Sequence, residues 1–185
     1  MPHTLVIHAH PRESASLVTE ALRRTLQSQP DTAVRALYHL YPDFDIDVEA
    51  ERAALNEADL VVWLSPVYWY SVPALLKHWF DQVLGYGWAY GPGGDTLRGK
   101  TAWWVTSAGG REDDYRPGGG HGRPFADFVP PIEHTARFCG MHWLPPHVVH
   151  GGHANSAAQV SADCGGLLQQ LAGHLGTIDA LRAAA

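Results

Sequence analysis

The sequence predicts an α/β fold in which a doubly wound, five-stranded parallel sheet carries helices on both faces. Short apolar and β-branched runs alternate five times with longer amphipathic segments along the chain. One run, residues 60–64 (LVVWL), contains no polar side chain, which is typical of a central parallel strand covered on both faces. The 185 residues are enough to bury a full core, and we predict a single domain over residues 1–185.

The predicted strands and helices alternate from the first residues to the last. Such a sheet binds its ligand at the carboxyl ends of the strands, near the point where the strand order reverses. Three loops leave those ends, at residues 8–16, 65–71 and 107–121, and we expect any site to be built from them. The strands are predicted at residues 4–7, 33–40, 60–64, 101–106 and 141–149, and the helices at residues 16–26, 48–57, 74–84, 131–138 and 161–181.

Composition and charge exclude several classes of protein. Thirteen Lys and Arg against 19 Asp and Glu give a net charge of −6, which argues against nucleic-acid binding. Two cysteines without a CxxC pair indicate a reducing compartment. The longest apolar stretch, residues 60–76, is interrupted by Pro66 and Pro73 and is too short to span a membrane. With no targeting segment in sight, we expect a cytoplasmic protein.

Two apparent motifs point to chemistry that their context does not support. Residues 94–101 (GDTLRGKT) fit the phosphate-loop pattern G-x-x-x-x-G-K-[ST], but that loop must open a helix, whereas these residues open a predicted strand. We therefore predict no ATP hydrolysis. The twelve histidines, including the closely spaced His147, His150 and His153, lack the convergent ligand set of a zinc site, so we expect no metal.

The loop after the first predicted strand carries hydroxyl groups where a helix begins. His10 ends the strand, and Ser14, Ser16 and Thr19 follow it. Hydroxyls and free backbone amides at a helix N-terminus are well suited to phosphate. Capping of the helix by Ser14 or Ser16 explains the same residues, so this loop alone favours neither interpretation.

The loop after the third strand is aromatic. Residues 66–70 (PVYWY) place three rings directly after a wholly apolar strand. Rings in that position suit stacking on a flat heterocycle, although an aromatic core or a subunit contact would use them equally well.

The loop after the fourth strand is rich in glycine. Residues 107–110 (SAGG) remove side chains where a planar ligand needs close approach to the backbone. Tyr115 and His121 follow, six residues apart, and each could donate a proton or stabilise a developing negative charge. Each of them, taken alone, is more often structural than catalytic.

Taken together, these motifs resemble the flavodoxin-like NAD(P)H:quinone oxidoreductases, the DT-diaphorase family, over residues 4–181. The family's Thr-Thr-Gly-Gly corresponds to residues 107–110, its Pro-x-Gln-Trp to residues 66–69, and its Phe-Cys-Gly to residues 138–140. The similarity is greatest to the bacterial ancillary subunits of glutathione-regulated potassium-efflux systems, on residues 40–44 (LYPDF), 69–71 (WYS), 87–91 (GWAYG) and 143–146 (WLPP). Three positions depart from the family pattern: Tyr68 replaces Gln, Thr19 replaces Asn, and Ser107-Ala108 replaces Thr-Thr.

The resemblance implies a function as well as a flavodoxin-like fold. It implies an FMN enzyme, with FAD as the alternative, that passes a hydride from NAD(P)H to a quinone in a two-electron ping-pong cycle. It implies a homodimer with Tyr115 and His121 as catalytic residues. An alternative function is a regulatory subunit docked on a potassium-efflux transporter at the inner membrane, with secondary redox activity. The cofactor-binding residues implied are His10, Ser16, Leu17, Val18, Thr19, Pro66, Val67, Tyr68, Trp69, Ser107, Ala108, Gly109 and Gly110.

Overall fold

The computed structural model describes residues 1–152 and 154–184 and contains one five-stranded parallel sheet. The strands are β1 (Thr4–His8), β2 (Thr32–Ala36), β3 (Leu60–Pro66), β4 (Thr101–Ser107) and β5 (His142–Val149). Their order is β2-β1-β3-β4-β5, and all four neighbouring pairs are parallel. The predicted sheet is confirmed, and its strand order reverses between β1 and β3.

Helices cover both faces of the sheet, as predicted. Alternate residues of β1 point to opposite faces: Val6 packs with α1 and α6, whereas Leu5 and Ile7 pack with α3, α4 and α5. Two separate apolar cores result. The helices are α1 (Val18–Gln27), α2 (Leu37–Leu40), α3 (Val48–Glu57), α4 (Ala74–Val83), α5 (Pro130–Phe138) and α6 (Ala157–Ala184).

Predicted boundaries of β2, α1 and α6 are wrong. The second strand ends at Ala36 rather than at residue 40, because β1, its neighbour in the sheet, ends at His8 opposite Ala36. The chain then turns into the short helix α2, which buries Leu37. Helix α1 begins at Val18 rather than at residue 16, since residues 13–15 form a 3-10 turn and Ser16 is extended. Helix α6 is longer than predicted at both ends.

Within the described residues, no helix combines the length and the apolar character needed to cross a membrane.

Candidate active site

A cleft of about 360 Å³ lies at the carboxyl ends of β1, β3 and β4. This is the end of the sheet, beside the reversal of strand order, where α/β folds of this kind bind ligands. The three loops predicted to form a site all contribute to its wall. Among the predicted cofactor-binding residues, those that line the cleft are His10, Ser16, Leu17, Val18, Pro66, Val67, Tyr68, Ser107 and Gly109.

The other four predicted cofactor-binding residues lie outside this lining. Thr19 is buried, and its hydroxyl shares a 2.9 Å hydrogen bond with the hydroxyl of Ser107, which ties α1 to the end of β4. Ala108 is buried and donates its N–H to the carbonyl of Val149. Trp69 projects into solvent with 93% of its surface exposed. Gly110 lies beneath the ring of His121.

The start of α1 presents unpaired backbone donors at the cleft. The N-cap residue is Leu17, which makes no side-chain capping bond. The hydroxyls of Ser14 and Ser16 therefore do not cap α1. Within the described chain, the N–H groups of residues 17–20 have no hydrogen-bond acceptor. Such amides form the positive end of the helix dipole and favour an anion. Ser16, Leu17 and Val18 therefore form a wall that carries the donors an anion would need.

His10 and Tyr68 contribute rings to the cleft. The Nδ1 atom of His10 accepts the backbone N–H of Arg12 at 3.1 Å, so a neutral imidazole carries its proton on Nε2. Burial lowers the pKa of His10, and the charge of Arg12 lowers it further, which keeps the ring neutral near pH 7. The Tyr68 ring meets it edge-on, with centroids 6.4 Å apart.

Trp69 and Tyr70 form a strained turn at the rim. Tyr68 and Ser71 exchange two backbone hydrogen bonds of 3.0 and 3.1 Å, and the residues between them have φ values of 51° and 63°. Two-residue turns of this kind normally use Asn-Gly, since both central residues need positive φ. Bulky side chains there cost about 1–3 kcal/mol each, and strain of this kind clusters at functional sites.

Tyr115 and His121 are brought together. Their rings stack at 4.0 Å between centroids and 16° between planes. A Cβ at position 110 would collide with His121 Nε2 and lie 3.2 Å from the Tyr115 ring, so Gly110 makes room for the pair. His121 Nδ1 also lies 3.5 Å from the Tyr70 hydroxyl. Burial raises the pKa of Tyr115, which keeps its phenol protonated.

Sequence reasoning missed three lining residues: Arg12, Ala15 and Gly152. Gly152 follows β5, whose carboxyl end was left out of the prediction although it lies at the same edge of the sheet. Gly151 donates to the carbonyl of Gly110 at 2.8 Å, and Gly152 donates to that of Ala108 at 2.9 Å. The segment after β5 therefore supports the loop after β4.

No group of three His, Cys, Asp or Glu side chains converges as a metal site in the part of the chain that the structure describes. His153, one of the closely spaced histidines, lies outside the described residues.

Known proteins share this architecture. The family model described as the flavodoxin-like fold matches residues 2–171. The chain belongs to this flavodoxin-like family. Among curated proteins, this flavodoxin-like chain is 46% identical to the glutathione-regulated potassium-efflux system ancillary protein KefF of Salmonella typhi, over 79% of this chain and 82% of KefF. The predicted resemblance to these ancillary proteins is thereby confirmed.

Two solved structures extend the comparison of this flavodoxin-like chain. General stress protein 14 of Treponema denticola, solved in complex with FMN, is 36% identical, covers 97% of this chain and 99% of its own, and has a TM-score of 0.83. An NADPH-quinone reductase from P. pentosaceus is 27% identical, covers 91% and 96%, and has a TM-score of 0.81. The resemblance to quinone reductases predicted from the motifs is confirmed at the level of fold and sequence.

Proposed function

We propose that this chain is an FMN-dependent NAD(P)H:quinone oxidoreductase. The observation that carries the proposal is the cleft at the carboxyl ends of β1, β3 and β4, whose lining combines unpaired helix amides with the rings of His10 and Tyr68. The FMN complex of general stress protein 14 and the NADPH-quinone reductase support it, because both share this fold over most of their length.

The chemistry of the lining fits a flavin mononucleotide. Ser16 and the amides of residues 17–20 would hold the phosphate, because they are unpaired donors at the start of a helix. Pro66, Val67 and Tyr68 offer an apolar and aromatic surface to a flat ring, and Gly109 adds a stretch of lining without a side chain. The cleft volume lies within the range of small-molecule sites.

When bound, the flavin supplies the hydride chemistry, and the net reaction is NAD(P)H, a proton and a quinone giving NAD(P)⁺ and a hydroquinone. The chain supplies proton and charge control. Tyr115 stays protonated and donates a hydrogen bond to developing negative charge. His121, stacked on it, offers ring nitrogens that can donate or accept a hydrogen bond. Tyr115 is buried, and the rings of Phe125 and Phe128 meet its ring edge-on, with centroids 5.3 and 6.3 Å away.

The active form in this proposal is a homodimer. Among the described residues, three Trp, Tyr or Phe side chains have more than half of their surface exposed: Trp69 by 93%, Tyr86 by 70% and Phe138 by 62%. Exposed aromatic surface of this kind marks interaction sites. Sedimentation should show a species near twice the 20.2 kDa chain mass, and a fully active monomer would contradict this part of the proposal.

The identity to KefF favours a second, compatible function as an ancillary subunit of a glutathione-regulated potassium-efflux system. The chain would then associate with the cytoplasmic side of a membrane through its transporter partner. Co-purification of the tagged chain with a potassium-efflux transporter from native membranes tests this function. Recovery of the transporter would support it. A chain that leaves potassium efflux unchanged when reconstituted with that transporter would contradict it.

The redox proposal is tested by the cofactor and by the two half-reactions. The purified protein should be yellow, and the flavin released by heat should co-migrate with FMN rather than FAD. Anaerobic NAD(P)H should bleach the flavin absorbance, and one equivalent of a benzoquinone should restore it. A protein that neither retains nor takes up flavin would overturn the proposal. So would a protein whose bound flavin stays oxidised after NAD(P)H is added.

A further inference from the structure

Arg12 is held at the mouth of the cleft by its own backbone. Its N–H donates to His10 Nδ1, and its carbonyl accepts the N–H of Ala15 at 3.0 Å. Arg12 lines the cleft together with Ser16 and Leu17, and these three residues also border a neighbouring cavity of about 780 Å³. The side chain is exposed and is therefore able to reach a ligand bound at the start of α1.

The other arginines around this mouth are already paired. Arg24 Nε lies 2.6 Å from Glu20, and Arg23 lies between Glu13 and Glu20 at 3.2 and 2.7 Å. His39 Nε2 lies 2.7 Å from Glu13. Among the described residues, no carboxylate lies within ion-pair distance of Arg12. The two acidic side chains are thus balanced by their own partners, and Arg12 is the cation left to face the cleft.

We infer that Arg12 binds the phosphate of FMN and makes this cleft prefer a phosphorylated flavin to riboflavin. The inference rests on the proposed function. It adds a residue to which neither the family resemblance nor the comparisons assign a role. A guanidinium matches phosphate oxygens with two parallel hydrogen bonds, and here it would act beside the unpaired amides of α1.

A phosphate monoester could also be the 2′-phosphate of NADPH, so the test must separate two sources of the same chemistry. The amides of residues 17 and 18 favour FMN, because these residues belong to the wall of the cleft that the flavin would occupy. A nicotinamide nucleotide enters and leaves in every cycle, whereas a resident cofactor would keep its phosphate at these amides throughout.

The experiment titrates flavin-depleted protein with FMN and with riboflavin and follows the quenching of flavin fluorescence. Arg12→Gln should weaken FMN binding about tenfold to a hundredfold, the size expected for loss of a charged hydrogen bond. It should change riboflavin binding by less than about twofold, because the lost partner is the phosphate. Arg12→Lys should fall between the wild type and Arg12→Gln.

Arg24→Gln is the matched control, because Arg24 lies on α1 at the same mouth but is neutralised by Glu20. It should leave both affinities within about twofold of the wild type, as expected for an exposed, paired side chain. Higher salt should weaken FMN binding to the wild type more than to Arg12→Gln.

Three results would overturn the inference. Unchanged FMN affinity in Arg12→Gln, together with full quinone reduction, would refute a role for Arg12 in binding the phosphate and would leave the proposed function standing. An equal loss for FMN and riboflavin would assign Arg12 to the shape of the loop. A rise in the KM for NADPH but not NADH, with FMN affinity intact, would assign it to the nicotinamide nucleotide. A wild-type protein that binds no flavin would remove the proposed function itself.

Discussion

Two glycine-rich segments flank β4, and they lie at opposite ends of the sheet. Residues 85–100 precede the strand and contain the perfect match to a phosphate-loop pattern; residues 107–122 follow it and match no such pattern. In the first segment, the amine of Lys100 donates to the carbonyls of Asn56 and Ala58 at 2.8 and 2.6 Å. In the second, Gly109 lines the cleft and Gly110 makes room for Tyr115 and His121.

The difference shows that strand direction, not the local pattern, separates a binding loop from a structural one. Thr101 opens a strand, as predicted, so Lys100 lies at the amino end of the sheet and joins β4 to the segment after α3. A phosphate loop needs the opposite arrangement, in which a helix begins at the carboxyl end of a strand. That arrangement occurs in the loop from β1 into α1, where the first amides of the helix are unpaired at the cleft.

The largest effect we expect concerns His8, a buried base at the carboxyl end of β1. It is 2% exposed, and its Nε2 has no partner among the described residues. Burial, reinforced by Arg23, lowers its pKa from 6.5 to about 3. Glu13 lies 3.6 Å away and would favour the charged form, but that carboxylate is already shared with Arg23 and His39, so burial dominates.

The unfolded chain therefore takes up a proton at His8 below pH 6.5, whereas the folded chain does so only near pH 3. The contribution of His8 to the free energy of unfolding is therefore fully present above pH 6.5. It is lost as the pH falls towards 3, by at most about 5 kcal/mol. Urea unfolding of the wild type and His8→Gln at pH 7.5, 5.5 and 4.5 measures the contribution. As the pH is lowered, the difference in the free energy of unfolding between the wild type and His8→Gln should shrink or change sign. A difference that stays constant with pH would contradict the prediction.

The next effect tests the chemistry of the second segment. Tyr115→Phe and His121→Gln should each slow quinone turnover by about tenfold to a hundredfold while flavin content stays intact, because each removes a proton donor. Because the rings stack at 4.0 Å, the double variant should lose less than the two losses combined. Stopped-flow traces of both half-reactions provide the measurement. Wild-type rates in all three variants would exclude the pair from the mechanism.

A smaller effect tests the space that glycine provides. In Gly110→Ala the new Cβ displaces the His121 ring, and turnover should fall by about tenfold, the lower end of the range for general acid–base help. Gly120→Ala is the control in the same segment, since the nearest atom to its Cβ is 3.8 Å away. Steady-state rates of both variants suffice. Equal losses would mean that the segment tolerates no side chains at all, and Gly110 would have no special role.

The smallest effect belongs to the first segment. Lys100→Met keeps the aliphatic stem but removes two hydrogen bonds, so the free energy of unfolding should fall by about 1–2 kcal/mol. Flavin content and quinone turnover should remain those of the wild type. ATP hydrolysis that is present in the wild type and absent from this variant would show that the segment is a nucleotide site after all.

The sequence by itself determined the class of the fold and the position of the site. All five strands and the five long helices occur where the apolar periodicity indicates them, because that periodicity is a local property of the chain. Once the strands are parallel, their carboxyl ends share one edge, so three loops far apart in sequence had to meet there. Tyr115 and His121, which the sequence analysis singled out together, form a stacked pair in the folded chain.

Only the tertiary structure decided features that depend on distant partners. The end of β2 is set by the length of β1, and the free charge of Arg12 depends on which carboxylates Arg23, Arg24 and His39 have taken. Glu51 is a clear example: it lies wholly buried in α3, where Arg35, Tyr41 and Trp79 donate to it from three other segments. The pairing of a charge and the end of a strand depend on residues that are close in space. A sequence pattern describes only residues that are close along the chain.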